Sequence, residues 1–463
     1  MQRAPYHDGM PNLQITNEIG RLRSVMVHRP GPEIEHMTPE RRDELLFDEI
    51  LWLPGAQTEH DVLTAVLRLA AGPDGVHYVE DLLEDVLQDE SLRRTLIQEA
   101  TALEPGYAGD QEMLAVELLA LGPAQLVTAL IAGQPDDAPH SLAEFLEDHT
   151  LYRPQPIPNL LFMRDTSVVI GDRVSISSMT RQARRREPLL VRYVFRHHPL
   201  FSGAEDAAWW DPFTDIKGSY PDAHVEGGDV LILNDHALLI GCSERTDRQG
   251  IDALARSLLQ KRSPIRTIYV ALLPARRAWM HLDTVFTILS EEECVLYPAL
   301  MRGYRNEGVR ILEMSLGGRG VRIKEHSTFL PDLLNSQEGM NLHHIECGGD
   351  ERLQQDREQW TDAANFVAIA PGVVMTYERN DVTFEALRSQ AGYDVISVEE
   401  YRMRADDSEE LLVDGKWTAF AALADRVAIG SGKKVAFRTP GQELSRARGG
   451  ARCMTMPLVR DDP

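Results

Sequence analysis

The 463-residue sequence predicts an α/β fold arranged as a propeller-like array of repeated units, with an all-helical block inserted near its start. Two observations predict it. After Pro154 a hairpin, an arginine-bearing corner, a helix and a strand recur in one order, and repeated supersecondary units stack into arrays, with the active site expected near the axis. Ahead of them, apolar residues fall at helical spacing. The expected organisation is a first part of the array over 1–77, a helical insertion over 78–150 and the remainder over 151–463.

Taken in order, Arg23 to His28 (RSVMVH) reads as a strand ending at Arg29-Pro30-Gly31. Thr38-Pro39 offers an N-cap and a first-turn proline, so a helix is expected through Leu45, Leu46, Ile50 and Leu51. A second helix starts near Thr58 and carries Val62, Val66 and Leu69. In the helical block, Leu82, Leu83, Val86 and Leu87, then Leu114, Leu118 and Leu119, then Leu126, Leu130 and Ile131 mark apolar faces, with breaks at Pro105-Gly106 and near Pro135. Ser141-x-x-Glu144 reads as a capping box for a last short helix.

The repeat begins with strands at Thr166 to Ile170 and Val174 to Ser177, the corner Arg184-Arg185 and a helix near Leu189 to Phe195. Its second copy has strands at Asp229 to Leu233 and Ala237 to Ile240, Glu244-Arg245, a helix near Ile251 to Leu259 and the strand Arg266 to Leu272. The third has strands at Phe366 to Ile369 and Val373 to Tyr377, Arg379-Asn380, a helix near Phe384 to Ala391 and the strand Asp394 to Val398. The extra segment 401–440 opens on charged residues and closes on an expected hairpin turning at Gly430 to Gly432.

Hydrophobic content of 43% and charged content of 26% are those of an ordinary globular chain. Lys and Arg number 48 against 72 Asp and Glu, and the net charge of −24 repels nucleic acid and anionic membranes while favouring small cations. Four cysteines, Cys242, Cys294, Cys347 and Cys453, show no CxxC spacing, and reduced thiols in the cytoplasm are expected. No apolar run reaches the length that spans a bilayer, and MQRAPYHDGMPNLQ has no leader-like core.

Chemistry concentrates in four short strings. Arg446 to Pro457 (RARGGARCMTMP) sets Cys453 among arginines and glycines; Arg448 and Arg452 would favour the thiolate and lower its pKa. Alone, this stretch reads equally well as a solvated basic tail. Pro158 to Asp165 (PNLLFMRD), Val225 to Asp229 (VEGGD) and Met280 to Asp283 (MHLD) add carboxylates and a histidine on segments read as strands, where His281 and Asp283 would share a face. Carboxylates facing one space need a cation between them. A metal held by His281, Asp283 and Glu226 is one reading, although neither HExxH nor a histidine pair at ligand spacing is present. A planar cationic substrate attacked by a cysteine is the other, and together with Cys453 it fits better.

The strings NEIGRLRSVMVHRPG, DELLFDEILW, PNLLFMRDTS, EGGDV, MHLDTVFT, DREQWTD and RGGARCMTMP resemble, in order and over nearly the whole chain, those of bacterial arginine deiminases. The resemblance implies a five-fold pseudosymmetric α/β propeller (pentein) with a helical insertion, L-arginine as substrate and no cofactor or metal. It implies Cys453 as nucleophile, His281 as acid and base, and Asp165, Asp283 and Glu226 around the guanidinium. It implies Asn159, Arg184 and Arg245 at the substrate carboxylate, Phe162 on its stem and Arg448 as a mobile arginine. A homo-oligomer in the cytoplasm, without nucleic acid or membrane partners, is expected. Arg452 departs from the histidine many members carry before the cysteine, and 401–440 is longer than expected. The alternatives are an amidinotransferase or a hydrolase of another guanidino compound, which share the thiouronium intermediate, and a degenerate arginine-binding module, against which the five reactive residues speak.

Overall fold

The computed structural model describes residues 13–104, 108–136, 142, 145, 152–201, 208–215, 222–302, 308–317 and 320–463. The 141–144 capping box and the Pro105-Gly106 break lie outside them. The fold is mixed α/β. Among the described residues, short sheets alternate with helices over three apolar cores.

Leu22–Val27 pairs parallel with Val76–Tyr78 and antiparallel with Met456–Arg460, so the two ends of the described chain share a sheet. Ser167–Ile170 and Arg173–Ile176 form a hairpin. Val230–Ile232 and Ala237–Cys242 form another, extended through a parallel Thr267–Leu272 to Arg310–Gly317 and Gly320–His326. Phe286–Ile288 and Glu293–Leu296 join a parallel His343–Glu346. Val367–Ala370 and Val373–Tyr377 belong to a six-stranded sheet with Val435–Thr439, Asp394–Met403, Glu409–Val413 and Lys416–Ala419. An antiparallel pair followed by a crossover to a parallel strand recurs in three of these sheets, because a parallel partner requires a connection long enough to cross the sheet.

Among the described residues, seven helices fall where the apolar spacing puts them, Leu53–Ala71, Val79–Val86, Ala108–Leu119, Pro123–Ala132, Arg186–His197, Arg248–Gln260 and Asp381–Ala391, while Glu90–Thr101, Leu330–Glu338 and Arg352–Trp360 are helices that no expected face marked. Leu82, Leu83, Leu126 and Leu130 share one core with Leu189, Leu190 and Val194, which fastens the helical block to the first repeat. Arg186 adds a bond from Nε to the Leu130 carbonyl at 3.0 Å.

Three local expectations are corrected. Residues 39–46 form turns rather than a helix. Leu46 takes φ 67°, which an α-helix excludes, and the Leu45 and Leu46 carbonyls are captured by Asn159 Nδ2 at 2.6 Å and Arg277 Nη2 at 2.8 Å. Residues 425–437 form no hairpin: Phe420–Val427 is a helix and Val435–Thr439 inserts between two parallel neighbours. The site segments read as strands are turns instead: Pro158–Leu161, Gly227–Asp229 and Leu282–Thr284 are 3-10 turns and Met163–Thr166 is one turn of α-helix.

Candidate active site

Each site motif ends on a turn just ahead of a strand. Asp165 precedes Ser167–Ile170, Glu226 precedes Val230–Ile232, His281 and Asp283 precede Phe286–Ile288, Asn365 precedes Val367–Ala370 and Cys453 precedes Met456–Arg460. Five sheets thus aim one strand start each at a common space. Close approach there demands glycine: a Cβ on Gly228 would lie 2.7 Å from His281 Nδ1 and 2.8 Å from Asp165 Oδ1.

His281 Nε2 lies 2.9 Å from Glu226 Oε2, and Nδ1 lies 3.6 Å from Asp165 Oδ1. Burial presses this imidazole toward neutrality, but Asp165, Glu226 and Asp229 overcome it and raise its pKa to about 9. Burial would raise Glu226, yet Arg245, His281 and Arg184 hold it well below the carboxylate range. Arg184 Nη1 reaches Asp165 Oδ2 at 2.8 Å, while its Nη2 and Nε bind Glu187. Glu187, which no motif pointed to, is thereby the counter-ion beneath the site.

Cys453 follows a loop packed on Phe162, whose Cε1 stands 2.2 Å from where a Gly449 Cβ would be. Asn365 Oδ1 accepts from the backbone N–H of Arg452 at 3.0 Å and of Cys453 at 3.1 Å, and Asn365 Nδ2 donates to the Asp283 carbonyl at 3.0 Å. Cys453 Sγ stands 3.8 Å from Asp283 Oδ2. The expected arginine-activated thiol is corrected here. Burial, Asp283, Asp165 and Asp362 raise its pKa well above the ordinary value of 9.0. Both arginines are engaged elsewhere: Arg452 pairs with Asp283 at 2.7 Å and Glu18 at 3.1 Å, and Arg448 donates to the Trp360 carbonyl and stacks 3.6 Å over its ring.

Leu46, Asn159, Phe162, Asp165, Arg184, Arg245, Met280, His281, Thr284, Ala447, Arg448 and Cys453 enclose a cavity of about 10 Å³, room for roughly one water. Glu226 and Asp283 stand just behind this wall, through their contacts with His281 and Cys453. Five polar atoms of these residues, all buried, have no hydrogen-bond partner: Asp165 Oδ1, Asp283 Oδ1, Arg245 Nε, Arg245 Nη1 and Arg448 Nε. Leaving such an atom bare costs about 1–3 kcal/mol, so the site is built for a ligand that brings donors for the two carboxylates and acceptors for the arginine. Asp165, Glu226 and His281 also place ligand atoms within 4.8 Å of one another, a spacing a metal ion could use. Arg184 and Arg245, each 3.7 Å from Glu226 Oε2, oppose a second cation there.

The arginine deiminase family profile matches residues 43–460. An arginine deiminase of Limosilactobacillus reuteri is 36% identical over 97% of this chain and 98% of its own, and one of Bacillus cytotoxicus is 35% identical over 97% and 99%. The chain belongs to the arginine deiminase family.

In this member, none of residues 401–440 lines the cavity, so this segment does not form the pocket wall. Its strands Glu409–Val413 and Lys416–Ala419 extend the six-stranded sheet outward, where Arg68 of helix Leu53–Ala71 pairs with Glu409. No helix of the described residues is long and apolar enough to cross a membrane.

Proposed function

We propose that this protein hydrolyses L-arginine to L-citrulline and ammonia through a covalent intermediate on Cys453. The observation that carries the reading is four of these bare atoms: one carboxylate oxygen on each of Asp165 and Asp283, and two N–H groups of Arg245. A guanidinium and a carboxylate on one small molecule satisfy all four. Asp165 and Asp283 take the guanidinium nitrogens, and Arg245 takes the α-carboxylate. As the guanidinium binds Asp165 it competes with Arg184 for that residue, freeing Arg184 Nη1 to join Arg245 at the carboxylate with Asn159, while Phe162 lies along the stem. Arg448 closes the loop side by leaving Trp360.

The incoming cation offsets the carboxylates that hold the thiol protonated, so Cys453 ionises and its proton leaves to water. The thiolate forms a C–S bond to the guanidinium carbon. The protonated His281 gives its proton to one amino group, the C–N bond breaks and ammonia departs, leaving an S-alkylthiouronium. Neutral His281 then takes a proton from water, whose oxygen attacks the same carbon. The C–S bond breaks, citrulline and thiolate form, and ammonia carries away the remaining proton as ammonium. Positioned proton transfer of this kind contributes about 10²–10⁴-fold, and Glu226 keeps the imidazole charged and oriented for it.

We read the five sheets as blades of a five-fold pseudosymmetric pentein propeller, residues 78–150 as its helical insertion and 401–440 as an enlargement of one blade. The test is arginine with purified protein and no added amine. Citrulline and ammonia in equal amounts support a deiminase; product only when an amine acceptor is added means an amidinotransferase.

A further inference from the structure

Arg452 carries five N–H donors and stands between two buried carboxylates. Its Nη1 donates to Asp283 Oδ2 at 2.7 Å, whereas Nη2 and Nε donate to Glu18 Oε2 at 3.1 and 3.3 Å. Glu18 is itself fixed, because its Oε1 accepts from the Ile232 N–H at 3.0 Å. An arginine beside a single carboxylate tends to grip both oxygens in a fork. Here the fork is split, and Asp283 Oδ1 stays bare.

We propose that Glu18 and Arg452 are positioning residues: Glu18 holds two arms of the Arg452 guanidinium, so that Arg452 covers only Oδ2 of Asp283 and Oδ1 remains available to the substrate guanidinium. The proposal rests on the assignment of Asp283 as a guanidinium partner. Glu18 is suited to the task because it faces Arg164 and Arg460 as well as Arg452. Without it, the Arg452 and Arg164 guanidiniums face Asp283 with no second carboxylate between them, Arg452 keeps only the Val230 carbonyl at 3.2 Å on its far side, and its Nε arm swings toward Oδ1. The sequence signal is faint: Glu18 lies in the string NEIG, 434 residues from its partner.

Kinetics of Glu18→Gln, Arg452→Lys and the double variant test this. Glu18→Gln should raise KM for arginine and lower kcat/KM by about 10–10²-fold. Because Glu18 acts through Arg452, the double variant should fall no more than about threefold below Arg452→Lys. A merely structural part would lower the melting temperature or the active fraction and leave KM where it was, and that result overturns the proposal, as does a double variant whose losses multiply. If the variants do not fold, a crystal structure of Cys453→Ser with arginine decides. Guanidinium on Oδ1 with Arg452 still on Glu18 is expected; guanidinium on Oδ2, or Arg452 turned from Glu18, contradicts it. A wild-type protein that makes no citrulline would instead remove the underlying reading, so the two failures are distinct.

Discussion

His281 Nε2 and Glu226 Oε2 stand 2.9 Å apart in a space sealed from solvent, and this contact helps the imidazole keep its proton to about pH 9. The folded pKa is above the ordinary 6.5, so the stability this pair contributes is complete below 6.5 and disappears as pH rises through about 9. Turnover should fall over the same window as the general acid is lost. Glu226→Gln should move that limb to lower pH in a kcat profile and reduce kcat by roughly 10²-fold. An unmoved limb would detach His281 from the protonation step.

The thiol offers the opposite signature. With burial and three carboxylates raising its pKa, Cys453 should react slowly with iodoacetamide at neutral pH and rapidly only in alkali. Asp283→Asn removes the largest of those charges. It should lose turnover by about 10²-fold or more while alkylating faster at neutral pH, a divergence followed by mass spectrometry of the Cys453 peptide. Equal alkylation rates in the two proteins would refute the electrostatic account.

Agmatine, which lacks the α-carboxylate, should be a very poor substrate. It leaves the Arg245 donors unpaired in the buried site, and a loss of roughly 10³-fold in kcat/KM is expected. Arg245→Ala should narrow the gap, mainly by weakening arginine. Comparable values for the two substrates would remove the carboxylate clamp.

Metal removal should leave the rate unchanged. The Asp165, Glu226 and His281 cluster has ligand spacing, but two guanidiniums already press on Glu226. Loss of activity in EDTA with recovery in zinc would replace the arginine-centred site by a metal centre.

Strands and helices were legible because their partners are near or their spacing is periodic: Val168, Val169 and Ile170 face a hairpin mate a few residues on, and Leu82, Leu83 and Val86 repeat at helical intervals. The turns were not. Leu46 leaves helical geometry where distant Asn159 and Arg277 seize the carbonyls of this turn. The glycines at 430 to 432 looked like a hairpin because nothing local announces that Val435–Thr439 will pair in parallel with two strands at once. Reactive residues stood out by type, Cys453 and His281 above all. Asn365, Glu187 and Glu18, which bind the Cys453 backbone, Arg184 and Arg452, sit in unremarkable strings, and two of the three meet partners more than 80 residues away.

The most direct measurement is mass spectrometry of the wild-type protein quenched during turnover of arginine. A thiouronium adduct on the peptide holding Cys453, absent from Cys453→Ser, is the result expected. An adduct on Cys242, Cys294 or Cys347, or full citrulline production by Cys453→Ser, would contradict the assignment of the nucleophile.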